Sequence, residues 1–193
     1  MVASTAPDAA RDEGAGALVV RQWGVEDAPL LHEAVTESIE HLRPWMPWIA
    51  DEPVTVEQRR ERIAGWRALW DEGDRLYGMF VGEAVVGGCG LHARIGPGGL
   101  EIGYWVRVGH TGRGYATEAA RQLTDIAFAT PGIDRVEIRH DATNAASSRV
   151  PAKLGYVRTE DLHRPPVAPG ETGVDHVWRM TRAAWVADAG ESA

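Results

Sequence analysis

The sequence predicts a single α+β domain built on one mixed β-sheet. Three observations carry that prediction. Strand-like and helix-like segments follow one another in the order βααβββαβαββ. Three strand candidates in the first half are joined by tight glycine turns, which pairs them antiparallel. A strand–helix–strand unit comes next and places the fourth and fifth strands parallel, with a right-handed crossover. The expected sheet has about seven strands, antiparallel in its N-terminal part, and about four helices accompany it.

The elements are read in chain order. Residues 1–16 are small, polar and rich in Gly, Ala and Pro, and are expected to be a disordered leader. Residues 18–22 form a short strand. Asp27 caps a helix with Pro29 in its first turn, and Leu30, Leu31, Ala34, Val35, Ile39 and Leu42 give it an apolar face. Pro44 and Pro47 stop that helix. Thr55 caps a second helix, and Gln58 completes a capping box. Strands at 76–81 and 84–91 flank Gly82-Glu83, a two-residue hairpin signal, and a third runs over 100–108. A helix from about 115 ends at Pro131-Gly132. A strand at 135–140, a short helix after Asn144, and strands at 156–162 and 177–181 complete the domain, which spans 17–185. Residues 186–193 are expected to be a flexible tail.

Composition narrows the function. At 193 residues the chain can bury a core without disulfides. A hydrophobic fraction of 44% and a charged fraction of 25% are ordinary for a globular protein. The single cysteine, Cys89, excludes an internal disulfide and makes a reducing, cytoplasmic location the default. No apolar run reaches the roughly 18 residues of a membrane span. The net charge of −8 and the sign alternation around Arg59 and Arg60 argue against nucleic acid. Seven histidines form no His-x-x-x-His pair and have no cysteine partner, so no metal is expected.

The chemistry points to Gly112-Arg113-Gly114-Tyr115-Ala116-Thr117, a glycine-rich turn between a strand and a helix. A helix start carries unpaired N–H groups and partial positive charge, and glycines let a large anion approach the backbone. A Walker loop needs a lysine that is absent here. The dinucleotide fingerprint needs a third glycine where Thr117 stands.

The strand end Val106-Arg107-Val108 followed by this turn resembles the acyl-CoA-binding motif of the GNAT acetyltransferases. Thr111 stands where that motif has Gln or Arg. The segments Leu42–Trp48, Ile102–Trp105, Gly114–Ala119 and Asn144–Tyr156 are similar to the RimJ/RimL-type branch, which acetylates N-terminal amines of ribosomal proteins. The resemblance covers about residues 17–183. It implies a GNAT fold, acetyl-CoA as acyl donor, and the pyrophosphate of coenzyme A on the amides of residues 112–117. It also implies a strand-four amide near Trp105 or Val106 facing the thioester oxygen, and Asn144 on the coenzyme arm. Asn144 is equally a helix N-cap.

Amine acetylation needs a held thioester, a polarised carbonyl, a neutral amine and a proton for the thiolate. The tyrosine that many relatives use as acid falls at Pro151, which has no proton to give. The resemblance to the RimJ/RimL branch points instead to Ser147, whose plainer role is to satisfy backbone in the first turn of a helix. For the base, Glu101 at the start of strand four is the candidate, set against an ordinary solvated glutamate. His41, His140 and His176 are looser alternatives. Proline residues 165 and 166 fall where some relatives carry a carboxylate. Trp45 and Trp48 either line the acceptor groove or anchor a corner of the core. An α-amine, with a pKa of about 8 against about 10.4 for lysine, tolerates a weak base better. The implied activity is direct acetyl transfer to an N-terminal α-amine. A small-molecule amine acceptor and a non-catalytic acyl-CoA-binding module are the alternatives, and exposed tryptophans would suit a homodimer.

Overall fold

The computed structural model describes residues 16–70 and 72–191, so the expected leader lies, Gly16 apart, outside the described residues. Seven strands are β1 (Val19–Gln22), β2 (Arg75–Val81), β3 (Ala84–His92), β4 (Gly99–Val106), β5 (Arg135–Asp141), β6 (Val157–His163) and β7 (Val174–Thr181). They form one sheet in the order β1-β2-β3-β4-β5-β7-β6. Among the described residues, only β4 and β5 are parallel neighbours. The helices are α1 (Ala28–Leu42), α2 (Val56–Leu69), α3 (Tyr115–Ala129), α4 (Ala145–Lys153) and α5 (Arg182–Glu191).

Local chemistry accounts for the boundaries. Val81 pairs with Ala84 around Gly82, whose φ of +58° suits the hairpin turn. The capping box at α2 is made as the sequence predicts. Gln58 N donates to Thr55 Oγ1 at 3.2 Å, and Thr55 N to Gln58 Oε1 at 2.8 Å. The C-terminal segment is helical where the sequence suggests a tail. Ala183, Ala184 and Ala187 favour helix, and Trp185 Nε1 donates to Asp125 Oδ1 on α3 at 2.8 Å.

The sheet is covered on both faces, which explains why β3 is buried almost from end to end. On one face, Ala119, Ala120, Leu123 and Ala127 of α3 pack on Leu91, Ile102, Val136 and Ile138. On the other, Leu31, Ala34 and Val35 of α1 and Ile63 of α2 meet Trp23, Phe80 and Val85. Cys89 is a buried free thiol in the α3 layer.

One interruption positions the site. β4 and β5 pair only from Gly99↔Arg135 to Ile102↔Ile138. β4 continues to Val106 on its β3 side, and β5 to Asp141 on its β7 side. The sheet therefore opens as a wedge between Gly103–Val106 and Arg139–Asp141.

Candidate active site

The wedge opens toward the glycine turn. After β4 the chain makes one tight turn over Val108–His110 and then runs into α3. Gly112 and Gly114 have φ of +76° and +84°, and a Cβ on either would meet nothing within 4 Å. Backbone conformation, not space, requires glycine at both positions. The first helical bond of α3 runs from Glu118 N to Gly114 O at 3.0 Å. The amides that precede it have no intrahelical acceptor and are free to meet an anion. Gly112, Arg113 and Gly114 are exposed, with Tyr115, Ala116 and Thr117 half-buried behind them. Thr111 Oγ1 donates to Val108 O at 3.2 Å, so that side chain is engaged by its own turn.

Alternation along β4 sorts its amides. Arg107 N donates to Val86 O on β3 at 2.9 Å. Successive amides of a strand point to opposite sides, so those of Tyr104 and Val106 point into the wedge. Trp105 has its amide toward β3 and its indole on the α1–α2 face.

Asn144 and Ser147 meet at the start of α4. Asn144 Oδ1 accepts from Ser147 N at 3.1 Å, a helix cap. Ser147 Oγ lies 2.9 Å from the Tyr104 hydroxyl, which is also 3.3 Å from Ser147 O. Burial pushes the Tyr104 phenol well above its ordinary pKa, so it keeps its proton at neutral pH. Tyr104 stands within the segment Ile102–Trp105 but was not singled out from sequence. Its signal is strand parity, which sends Ile102 and Tyr104 to the α3 side and Glu101, Gly103 and Trp105 to the other. Pro151 is buried within α4.

On that other side the wedge joins a cavity of about 830 Å³ between the sheet, α1, α2 and the β6–β7 segment. Five of the eight tryptophans line it, namely Trp23, Trp45, Trp48, Trp66 and Trp105. Trp48 meets Trp105 at 6.0 Å between ring centres, inclined at 60°. Gly88, Gly90 and Gly103 lie along the sheet beneath. All eight tryptophans are buried or half-buried.

The charged residues of the cavity are mostly engaged. Glu101 is buried, with Oε1 bonded to Arg94 at 2.5 Å and Oε2 3.8 Å from Arg139. The segment after β6 carries a carboxylate into the cavity despite its prolines. Glu171 is bonded to Arg164 and accepts from the amides of Val167 and Ala168. Arg164 also holds Asp175. Burial pushes the His140 imidazole downward, and both its nitrogens are used, on Asp141 O at 2.9 Å and on Trp178 Nε1 at 3.0 Å. His176 packs against His140, and His41 is exposed on α1. Asp141 accepts from the amides and hydroxyls of both Thr143 and Thr172. Burial opposes ionisation there, but these bonds outweigh it and hold the carboxyl well below its usual range. Asp74 binds His92 Nδ1 at 3.0 Å. Among the described residues, no group of three or more His, Cys, Asp or Glu side chains is placed to hold a metal ion.

Comparison with known proteins agrees with this geometry. Residues 17–157 match the model of the acetyltransferase (GNAT) domain family. The Bacillus subtilis protein YjcK, named a probable N-acetyltransferase, is 30% identical over 135 residues, covering 67% of this chain and 71% of that protein. A second Bacillus subtilis protein, YdaF, named as a candidate ribosomal N-acetyltransferase, is 27% identical over 143 residues, covering 72% and 78%. Among solved structures, a RimL ribosomal L7/L12 α-N-protein acetyltransferase in complex with coenzyme A superposes with a TM-score of 0.77 at 20% identity, covering 86% of this chain and 95% of that one. Mycobacterium smegmatis RimJ, in complex with a coenzyme A disulfide, gives 0.76 at 23%, covering 91% and 90%. At these identities the structural likeness is one of fold. With an open β4–β5 wedge, a glycine turn at the head of α3 and a family match over most of its length, the chain belongs to the GNAT acetyltransferase family and is an N-acetyltransferase.

Proposed function

We propose that this protein transfers the acetyl group of acetyl-CoA directly to the N-terminal α-amine of a protein or peptide. The observation that carries the reading is the wedge, which brings the free amides of Tyr104 and Val106, the head of α3 and Ser147 around one opening. Coenzyme A would lay its pyrophosphate on the amides of residues 112–117 and its arm along the wedge past Asn144. The Val106 amide, beside Trp105, would then donate to the thioester oxygen and stabilise the charge that develops on it. Ser147 gives the departing thiolate its proton. If the Tyr104 phenol donates to Ser147 Oγ, the serine proton is left free to point at the sulfur. Glu101, buried in the acceptor cavity and bonded to Arg94 through Oε1, would offer Oε2 to a hydrogen bond from the incoming amine. Trp45 and Trp48 form the wall against which the acceptor packs.

The same tryptophans favour a second acceptor class. A cavity of about 830 Å³ walled by indoles fits a compact amine with an apolar or aromatic body as well as it fits a peptide end. Incubation with acetyl-CoA and a panel of α-amine peptides, lysine peptides and small aromatic amines, read by mass spectrometry, separates the cases. Acetylated peptide α-amines support the first reading, and product on small amines alone supports the second. Coenzyme binding without any product would mean a binding module and would sink both.

A further inference from the structure

The residue that takes the proton from the amine is not fixed by the roles given above. Among the described residues of the cavity, the carboxylates Glu101, Glu171 and Asp175 are bonded to arginines, and Asp141 to two threonines. His140 has both nitrogens occupied. His92, the last residue of β3, differs from all of these. Its Nδ1 faces Asp74 Oδ2 at 3.0 Å, and Asp74 Oδ1 takes the amide of Ala93, also at 3.0 Å. A carboxylate accepts only, so Nδ1 carries the hydrogen, and in the neutral imidazole the lone pair lies on Nε2. The side chain is 17% exposed, and the ring lines the cavity. A Cβ built on Gly103 would lie 3.4 Å from Nε2, so the nitrogen stands over a bare stretch of β4. That stretch is the first residue of the open wedge, between Glu101 and Trp105 on the same face.

We propose that His92, held in one tautomer by Asp74, is the general base for the acceptor amine. The proposal rests on the acetyltransferase reading above. An amine that reaches the thioester from the cavity face passes over Gly103, within reach of Nε2. The imidazole takes a proton from the ammonium and later releases it to water. The neutral nitrogen attacks the carbonyl carbon, the carbon–sulfur bond breaks, and the thiolate takes a proton through Ser147. The second proton of the acetylated nitrogen replaces the one that Ser147 gave. Asp74 is a positioning residue, since its carboxylate touches only the imidazole and the backbone. Burial works against ionising Asp74, but the bonds from His92 and Ala93 prevail and hold its carboxyl below the usual range. Among the charged side chains that line the same cavity are Glu101 on β4, Arg94 just after β3, Arg59 and Arg62 on α2, and Arg139 on β5.

The test uses the full chain, acetyl-CoA and whichever amine of the panel is acetylated fastest. In H92Q, kcat/KM falls on the order of 10²-fold or more. Its acetyl-CoA affinity by calorimetry stays within about two-fold of wild type, which also establishes that the variant is folded. The acid limb of the pH profile disappears, and the deficit shrinks as pH rises and the amine deprotonates by itself. D74N shows a smaller loss with a displaced acid limb, and added imidazole restores part of the rate of H92G. An H92Q enzyme with wild-type rate and limb overturns the assignment, as does loss of the limb in E101Q but not in H92Q. A wild-type protein that binds acetyl-CoA but acetylates no amine overturns the transferase reading, and the base assignment with it.

Discussion

The Tyr104 hydroxyl lies 2.9 Å from Ser147 Oγ and joins the open part of β4 to the first turn of α4. The pair predicts an ordered set of defects. S147A should lower kcat on the order of 10²-fold, with acetyl-CoA affinity little changed, because the thiolate loses its proton source. Y104F should cost about 1 kcal/mol, or roughly five-fold, since it loosens the serine without removing it. Steady-state kinetics with calorimetry of the donor checks both. Unchanged turnover in S147A would remove Ser147 from the mechanism.

Gly114 has a φ of +84° with open space where a Cβ would stand. G114A should therefore cost about 1–2 kcal/mol of stability through backbone strain alone. G114E adds a negative charge where the diphosphate would lie, and should abolish acetyl-CoA binding in calorimetry. Intact binding in G114E would contradict the assignment of the turn.

Trp48 and Trp105 meet edge to face across the cavity. W48A should forfeit about 0.5–1.5 kcal/mol of aromatic contact and open the acceptor wall. The expected signature is a raised KM for the acceptor with the dissociation constant of acetyl-CoA kept within about two-fold. A change confined to the donor would place Trp48 elsewhere in the mechanism.

Asp141, Glu137 and Glu171 all have carboxyls held below their ordinary range. Burial opposes this in each, but bonds from threonines or arginines prevail. A carboxyl whose folded pKa is depressed contributes stability above its unfolded pKa of about 4 and loses it as pH falls toward the folded value. Urea midpoints should therefore drop as pH falls from about 4 downward. D141N, facing five donor groups with an amide, should lose about 1–3 kcal/mol at pH 7 and show a shallower acid decline. An acid decline as steep as in wild type would assign it to other carboxyls.

The parts of this molecule that sequence makes legible are those written in short windows. The capping box of Thr55 and Gln58 spans four positions, the Gly82 hairpin two, and the Gly112–Gly114 turn three. Each needs a specific residue type for a specific backbone shape. The order of the strands follows from counting such windows. The site reads less easily because its contacts are long-range. Asp74 and His92 are 18 residues apart, and Tyr104 and Ser147 are 43. Which residues of β3 and β4 face the cavity depends on strand parity, and a slip of one position would exchange Tyr104 with Trp105. The prolines at 165 and 166 describe a loop well but hide that Arg164 folds back to hold Glu171 at the cavity edge. Ala183, Ala184 and Ala187 carry a helical tendency, yet only the packing of Trp185 on Asp125 shows where that helix docks.

The break between β4 and β5 has a mechanical meaning. Strands β1 to β4 and strands β5 to β7 are each zipped along their lengths, but they join through pairing from Gly99 to Ile102 only. Within the sheet, then, the two halves share a short seam, with α3 packed across both, and a donor seated in the gap would bridge them like a missing rung. Filling the gap should raise the melting temperature in proportion to the logarithm of donor concentration and slow hydrogen exchange at Tyr104 and Val106 more than at β1 or β6. The donor would then be a structural component of the enzyme before it is a reactant, stiffening the sheet against which the amine must be aimed.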